Sequence, residues 1–305
     1  MKQNPIMIVD NLSHRYANGT PGLSNISFSV YKGDFIIVAG RNGSGKSTLF
    51  RHLNGLQSPT DGKIFLHGHP LEKQKHTALT QVGLIFQDAD TQIVGETVWE
   101  DVIFGPCNLK LSPDDIQNRG VQALTAMNLL HLKDRDPSTL SGGEKRKLAI
   151  AGVLAMKPEI LVFDEPFSNL DYPGTRDLIA SVVSLHRAGH TIILSTHDLE
   201  KIIFYATRML LLSRGTLVHD DAPLALLKHL EGLGIREPCA SRLGMDIPAW
   251  DVWDGDGTPI VSLCEKTDSQ ARKISPQGTP VLEKGQTLPP TASHEDARIP
   301  EVHHG

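Results

Sequence analysis

Between positions 40 and 48 the chain reads Gly40-Arg41-Asn42-Gly43-Ser44-Gly45-Lys46-Ser47-Thr48, so three glycines, a lysine and three hydroxyls share one short loop. The spacing is G-x-x-x-x-G-K-[ST], filled by Gly40, Gly45, Lys46 and Ser47. A polyphosphate needs many donors packed closely, and side chains alone are too bulky to supply them. Glycines at 40, 43 and 45 let backbone N–H groups converge on phosphate oxygens, and a helix start adds its positive dipole end. Lys46 would bridge the β- and γ-phosphates, and the Ser47 hydroxyl would ligate Mg²⁺. The plainer alternative is a Gly-rich turn that happens to contain a lysine. Its context argues otherwise: Phe35-Ile36-Ile37-Val38-Ala39 reads as a buried strand, and Ser47 to Leu53 reads as the helix that follows.

Two more stretches could act on a bound phosphate. Ile160-Leu161-Val162-Phe163 is an apolar strand ending in Asp164-Glu165. Phosphoryl transfer needs a metal-orienting carboxylate at the C-terminal edge of parallel strands, which suits Asp164. Glu165 would polarise the attacking water as general base. Adjacent residues on a strand point to opposite faces, so both can serve only where the strand has just ended. Leu140-Ser141-Gly142-Gly143-Glu144 opens a helix as a capping box, with Ser141 at the N-cap and Glu144 three residues on. Its paired glycines and free N–H groups also make a second anion site. The two helix starts lie in different substructures and need not meet in one subunit.

The elements that must position these residues follow from the pattern of apolar runs. Ile6-Met7-Ile8-Val9, Ile26-Ser27-Phe28-Ser29-Val30 and Phe35 to Val38, broken by Asn18-Gly19 and Lys32-Gly33, read as two or three strands. Lys63 to Leu66 and Val82 to Phe86 are further strands. Residues 97–157 turn helical: Pro113-Asp114-Asp115 starts one helix, Val121, Leu124 and Met127 recur at helical spacing, and Ser141 precedes another helix to Met156. Strand character returns at Ile160 to Phe163 and Thr191 to Leu194, with a helix over about 174–187 between them. That βαβ order predicts a mainly parallel sheet with its ligand at the strands' C-terminal ends. Met209 to Leu212 and Thr216 to Val218 read as a hairpin, and Pro223 opens a helix to about Leu230. The sequence thus divides into a domain over 5–233 with a helical subdomain over about 97–157, a segment 234–265, and a polar, Pro-rich tail. Residues 234–265, with Trp250 and Trp253, either dock on the domain or form a small appendage; 266–305 reads as disordered.

Composition bounds the setting. At 305 residues and 39% apolar the chain can bury a large core, and no stretch approaches a membrane span. No apolar signal region follows Met1-Lys2-Gln3-Asn4-Pro5. Cys107, Cys239 and Cys264 are widely spaced without a C-x-x-C pair, which points to a reducing cytoplasm rather than disulfides or structural zinc. A net charge of −5 without a long basic run argues against a nucleic-acid partner. The fourteen histidines show no metal-ligand spacing.

In order and spacing these motifs resemble the nucleotide-binding ATPase of ABC transporters, over roughly residues 5–232. The resemblance implies an α/β phosphate-loop NTPase fold with a mainly parallel core, an N-terminal antiparallel β subdomain and an inserted helical subdomain. It makes Leu140 to Glu144 the signature motif, which binds the γ-phosphate held by a partner's phosphate loop. Ser168-Asn169-Leu170-Asp171 matches the D-loop, and Gln87 stands at the Q-loop glutamine, a Mg²⁺ ligand. His197, in Ser195-Thr196-His197-Asp198, matches the switch histidine, and Tyr16 stands where an aromatic ring stacks on adenine. Catalysis would then rest on Glu165, His197, Lys46 and Gln87. The nucleotide would be held by Tyr16, Gly40 to Thr48, Ser141 to Glu144 and Asp171, and Mg²⁺ by Ser47, Gln87 and, through water, Asp164. Phe167 and Asn169 depart from the family's usual Thr and Gly, with no loss of activity expected.

Phe86 to Pro106 resembles the Q-loop and following helix of ATPases in energy-coupling-factor transporters, importers of cobalt, nickel or vitamins. There the helix lines a groove for a transmembrane subunit. Asp88, Asp90, Glu96, Glu100 and Asp101 give the stretch an acidic face suited to a basic partner, or simply a solvated one. The resemblance implies an ATPase subunit, homodimeric or paired with another ABC ATPase, peripheral on the cytoplasmic face of the membrane. It would contact an integral membrane subunit through residues about 87–105 and a small substrate-binding membrane subunit only indirectly. The ATPase of another ABC transporter class, or a soluble ABC ATPase, shares the same catalytic motifs. A small-molecule kinase leaves Ser141-Gly142-Gly143 and His197 unexplained.

Overall fold

The computed structural model describes residues 4–247 and 249–250; Trp253 and the Pro-rich stretch from 266 lie outside the described residues. The first half of the chain forms β1 (Met7–Arg15), β2 (Pro21–Val30), β3 (Phe35–Ala39), α1 (Lys46–Leu53), β4 (Asp61–Leu66), β5 (His69–Pro70), α2 (Lys75–Gln81) and β6 (Val82–Ile85). Three helices follow, α3 (Val98–Asn108), α4 (Pro113–Ala126) and α5 (Gly142–Leu154). Then come β7 (Ile160–Phe163), α6 (Tyr172–Arg187), β8 (Thr191–Ser195), β9 (Arg208–Ser213), β10 (Thr216–Asp221), α7 (Pro223–Leu230) and α8 (Cys239–Arg242).

Two sheets result. One is antiparallel in the order β2-β1-β4-β5; the other runs β10-β9-β3-β8-β7-β6. In the second sheet only the β9–β10 hairpin is antiparallel. Strand alternation explains the layering. Phe35, Ile37 and Ala39 on β3 face a core shared with Phe163, Leu194 and the aliphatic side chains of α4 to α6. Ile36 and Val38 face the opposite core, with Leu49, Phe50 and Leu53 of α1 and Met7, Val9 and Ile26 of the antiparallel sheet. Both faces are covered, so β3, β6, β7 and β8 are buried at every position and read as unbroken apolar runs.

The parallel order decides where chemistry can occur. β3, β8 and β7 are neighbours, so their C-terminal ends lie side by side, about 4.8 Å apart per strand. The segments leaving those ends carry Lys46, His197 and Glu165. The three helices α3, α4 and α5 are inserted between β6 and β7, which confirms the helical character expected over 97–157. By contrast α2 and β5 leave little trace in the sequence. α2 has seven residues, no side-chain cap and two threonines, so it depends on packing rather than propensity.

The acidic face expected over residues 88–101 requires correction. Asp101 is buried in α3, and its Oδ1 accepts the backbone N–H groups of Val94 at 2.8 Å and Gly95 at 3.1 Å. Gly95 approaches so closely that a Cβ there would lie 2.3 Å from the Asp101 nitrogen. Asp90 is exposed but paired with Lys145 at 2.7 Å. Asp88, Glu96 and Glu100 remain exposed on this stretch, beside the exposed apolar side chains of Val94 and Phe104.

Burial raises the Asp101 carboxyl above its ordinary 3.8, against the smaller opposing effect of the two N–H donors. The native state therefore holds this proton more tightly than the unfolded chain. Its contribution to stability falls as pH rises through the interval just above the ordinary carboxylate range. Asp101→Asn should abolish that decline while still accepting both N–H bonds. Asp101→Ala should cost about 1–3 kcal/mol by stranding the two donors. Urea denaturation of the three proteins at mildly acid and neutral pH tests both statements.

Candidate nucleotide site

The loop from β3 into α1 is folded by constraints that glycine meets. Gly45 adopts φ +104, and a Cβ on Gly40 would lie 2.4 Å from Ser44 Oγ and 2.5 Å from the Leu212 carbonyl oxygen. The loop ends on the first turn of α1, where Lys46 is buried. Its ammonium donates to the Gly40 carbonyl at 2.8 Å and pairs with Glu165 Oε1 at 3.5 Å. Ser47 and Thr48 open the helix beside it.

Glu165 stands two residues beyond the end of β7 and takes φ +47, a conformation uncommon for a residue with a side chain. That turn resolves the alternation problem of two adjacent carboxylates. Asp164 and Glu165 leave the strand in different directions, held by one hydroxyl at the end of β8. Ser195 Oγ accepts the Glu165 N–H at 2.8 Å and donates to Asp164 Oδ1 at 2.8 Å. The Glu165 carboxylate is buried. Its Oε2 accepts from His197 Nδ1 at 2.8 Å and from the His197 backbone N–H at 3.3 Å. Its Oε1 receives no hydrogen bond among the described residues.

These groups line a cleft of about 540 Å³ with Tyr16, Gly22, Asn42, Gly43, Gly45, Ser47, Thr48 and Gln87. Tyr16 flanks its mouth with a partly exposed ring, its hydroxyl 2.6 Å from Thr48 Oγ1. Beneath it His14 packs edge-on between Tyr16 and His52. Burial pulls the His52 imidazole below its ordinary 6.5, so His52 is neutral at pH 7. Arg41 and Ser44 face a neighbouring cavity together with Arg214 and Gly234. Asp164 is buried behind the cleft and does not line it.

Ser141, Gly142, Gly143 and Glu144 line a different cavity, with Asn169, Leu170, Asp171 and Gly174. It shares no lining residue with the cleft around Lys46. The capping box is complete: Glu144 Oε2 accepts from the Ser141 N–H and hydroxyl, both at 2.7 Å, and Ser141 Oγ accepts the Glu144 N–H at 3.3 Å. Those bonds, first from the hydroxyl and then from the N–H, hold the Glu144 carboxyl below its ordinary 4.5. Glu144 therefore orders the helix start, and Gly142 and Gly143 line the cavity beside it. Asp171 caps α6 through the Gly174 N–H at 2.9 Å. Asn169 sits at φ +62, a left-handed position that glycine or asparagine tolerates best, and Phe167 is buried in the core. Both departures from the family pattern are thus accommodated physically.

Two residues of this region received no role from the motifs that contain or adjoin them. One is Ser195, which orients both carboxylates. The other is Arg146, one turn into α5 and buried. Its guanidinium donates to the carbonyls of Phe86 at 2.9 Å, Gln87, and Ser168 at 3.4 Å. One side chain therefore ties the signature helix to the Gln87 loop and to the loop leading to Asp171. Burial lowers its pKa from the ordinary guanidinium range, opposed by Asp88 and Asp90, and it remains a cation. Only its place three residues past Gly143, on the inward side of a helix, could have flagged it.

Comparison with known proteins identifies the family. A family model described as "ABC transporter" matches residues 23–168. The energy-coupling factor transporter ATP-binding protein EcfA of Methanothermobacter thermautotrophicus is 42% identical over 225 residues, covering 72% of each chain. The EcfA protein of Methanocaldococcus jannaschii is 39% identical over 229 residues, covering 74% of this chain and 82% of that one. Among solved structures, a CbiO protein from Clostridium perfringens, described as part of the ABC transporter complex CbiONQ, superposes with TM-score 0.69. It is 33% identical and covers 79% of this chain and 99% of its own. A dimeric ATP-binding cassette in a post-hydrolysis state, bound to ADP and Pi, superposes with TM-score 0.64 at 25% identity, covering 71% and 98%.

Arg146→Ala should strand three carbonyls and destabilise the fold by about 1.5–3 kcal/mol, the scale of hydrogen bonds to a charged group. Arg146→Lys, which lacks the planar fork, should recover only part of that loss in denaturant titration.

Proposed function

The chain belongs to the ATP-binding subunits of ABC transporters, of the energy-coupling-factor type, and from that membership we propose how its two half-sites divide the work. It is an ATPase whose hydrolysis is coupled to transport. In our reading the cleft around Lys46 holds the nucleotide, with Tyr16 stacking on adenine and the backbone from Gly40 to Thr48 cradling the phosphates. The cavity at Ser141 and Gly143 serves the nucleotide held by the other subunit. Two subunits, copies of this chain or this chain and a second ATPase subunit, would close head to tail on two ATP molecules. What supports the division is that the two cavities share no lining residue.

The observation that carries the chemistry is the state of Glu165. One carboxylate oxygen is fixed by His197 and the other is a buried acceptor without a donor, inside the cleft and 3.5 Å from Lys46. That oxygen takes the proton of an attacking water as general base, while His197 holds the carboxylate in place. Lys46 transfers its ammonium from Glu165 and the Gly40 carbonyl to the phosphates, freeing Glu165 as the nucleotide arrives. Ser47, Gln87 and Asp164 supply only oxygen donors, and two of them line the cleft, which suits a hard cation such as Mg²⁺. Among the described residues no group of three His, Cys, Asp or Glu could hold a metal. Mg²⁺, when bound, supplies charge neutralisation at the phosphates. Asp164 would act on it through water, from behind the cleft.

Transmission to the membrane is proposed through residues about 87–105. Asp88, Glu96 and Glu100, beside Val94 and Phe104, suit a segment of an integral membrane subunit that carries basic and apolar side chains. Arg146 couples this surface to the signature helix. The small substrate-binding subunit is reached only through that partner. The family of this chain supports a peripheral position on the cytoplasmic face of the membrane. Among the described residues no helix is long and apolar enough to cross a membrane. For cargo we propose a transition-metal ion, cobalt or nickel, with a vitamin as the alternative. That choice rests on the resemblance of residues 86–106 alone.

Glu165→Gln should retain ATP binding and lower turnover by at least about a hundredfold, the scale of a lost general base. Unchanged hydrolysis would remove Glu165 from this role. The full chain should also co-purify from detergent-solubilised membranes with an integral membrane protein. Recovery only in a soluble complex would reject the transport reading.

A further inference from the structure

The segment after α7 crosses back over the functional loops. Gly234, at φ +69, lies against the phosphate loop: a Cβ there would come within 2.8 Å of Arg41 Cδ. Ile235 is buried, and Ile247 and Trp250 pack against the same core as α6. Trp250 then joins two loops that leave different strands. Its backbone N–H donates to Tyr205 Oη at 2.6 Å. Its indole lies 5.8 Å from the Tyr172 ring, tilted by 57°.

Both tyrosines hold informative places. Tyr172 is the first residue of α6, immediately after the cap Asp171, and Arg176 lies 5.9 Å from the same ring. Asp171 and Gly174 line the cavity of Ser141 and Gly143. Tyr205 ends the stretch that begins at β8 with Ser195 and His197. One tryptophan therefore spans the start of the helix that borders one half-site and the loop downstream of the histidine in the other. Tyr172 is 57% exposed, with Arg176 on its ring as well.

We propose that Trp250 is a positioning residue for the half-site offered to the partner subunit. It fixes the start of α6, and with it Asp171, relative to the loop that follows His197. The C-terminal segment thereby sets how the two half-sites of one subunit are spaced. The proposal rests on the head-to-tail reading above. It separates two properties that ordinary packing would change together: nucleotide binding within one subunit, which Trp250 does not touch, and closure of the ATP-bound pair, which depends on Asp171.

The test uses the full chain, in the Glu165→Gln background, with ATP-driven pairing followed by light scattering. Trp250→Ala should raise the ATP concentration for half-maximal pairing about five- to tenfold, the scale of one aromatic contact. In the otherwise native chain it should lower kcat by a similar factor. The affinity of a fluorescent ATP analogue for the single subunit should stay unchanged, and Trp250→Phe should restore most of the loss. Tyr205→Phe, which removes only the anchoring hydroxyl, should give a smaller defect of the same kind. Normal pairing and kcat in Trp250→Ala would overturn the proposal. So would a parallel fall in Tm and single-subunit binding, which marks a packing role. If Glu165→Gln alone does not pair on ATP, the head-to-tail reading fails. In that case an unchanged kcat of Trp250→Ala in the assembled transporter overturns the brace as well.

Discussion

The parallel pairing of β3, β8 and β7 is the constraint on which the site depends. Parallel strands point their C-terminal ends the same way, and adjacent ones are separated by one hydrogen-bond spacing. Lys46, His197 and Glu165 are far apart in sequence, yet the loops that carry them leave neighbouring strand ends. A buried strand cannot shift register without exposing apolar side chains and stranding backbone donors. The sheet therefore sets where the carboxylate, the ammonium and the imidazole meet, and their mutual contacts hold them there. Ser195 completes this arrangement by fixing both carboxylates from the end of β8.

The same rigidity keeps the two cavities of one chain apart, as the head-to-tail reading requires. The signature helix starts on an insert between β6 and β7, and its first turn faces a cavity separate from the phosphate loop. Arg146 then matters because its fork accepts no compromise. Three carbonyls from two loops converge on a buried guanidinium, so a shift of α5 must carry the Gln87 loop and the Ser168 turn with it. A head-to-tail pair built from such subunits links nucleotide binding in one cleft to the position of the surface around α3.

Much of this was legible in the sequence. The phosphate loop, the strand ending in Asp164-Glu165 and the capping box of Ser141 and Glu144 each depend on local chemistry that residue type and spacing encode. The buried strands were legible because a layer on each face makes them continuously apolar. α2 was not, since its short, threonine-containing sequence has no helical period and forms by packing. Asp101 was misread for a related reason. An aspartate in an acidic run looks solvated, and only the fold back of Val94 and Gly95 onto α3 turns it into a buried acceptor.

The sequence alone determined which groups exist: the glycines that permit the loop, the lysine and hydroxyls, the paired carboxylates, the histidine and the second helix start. Those are properties of residue type and near spacing, which local backbone geometry converts directly into structure. Tertiary structure decided what those groups can do together. It set Glu165 at φ +47 with one oxygen held and the other open, buried Asp101, aimed Arg146 at three carbonyls, and brought Trp250 against Tyr172. Each of these joins residues distant in the chain, and such distances are fixed by sheet order and core packing rather than by any short stretch of sequence.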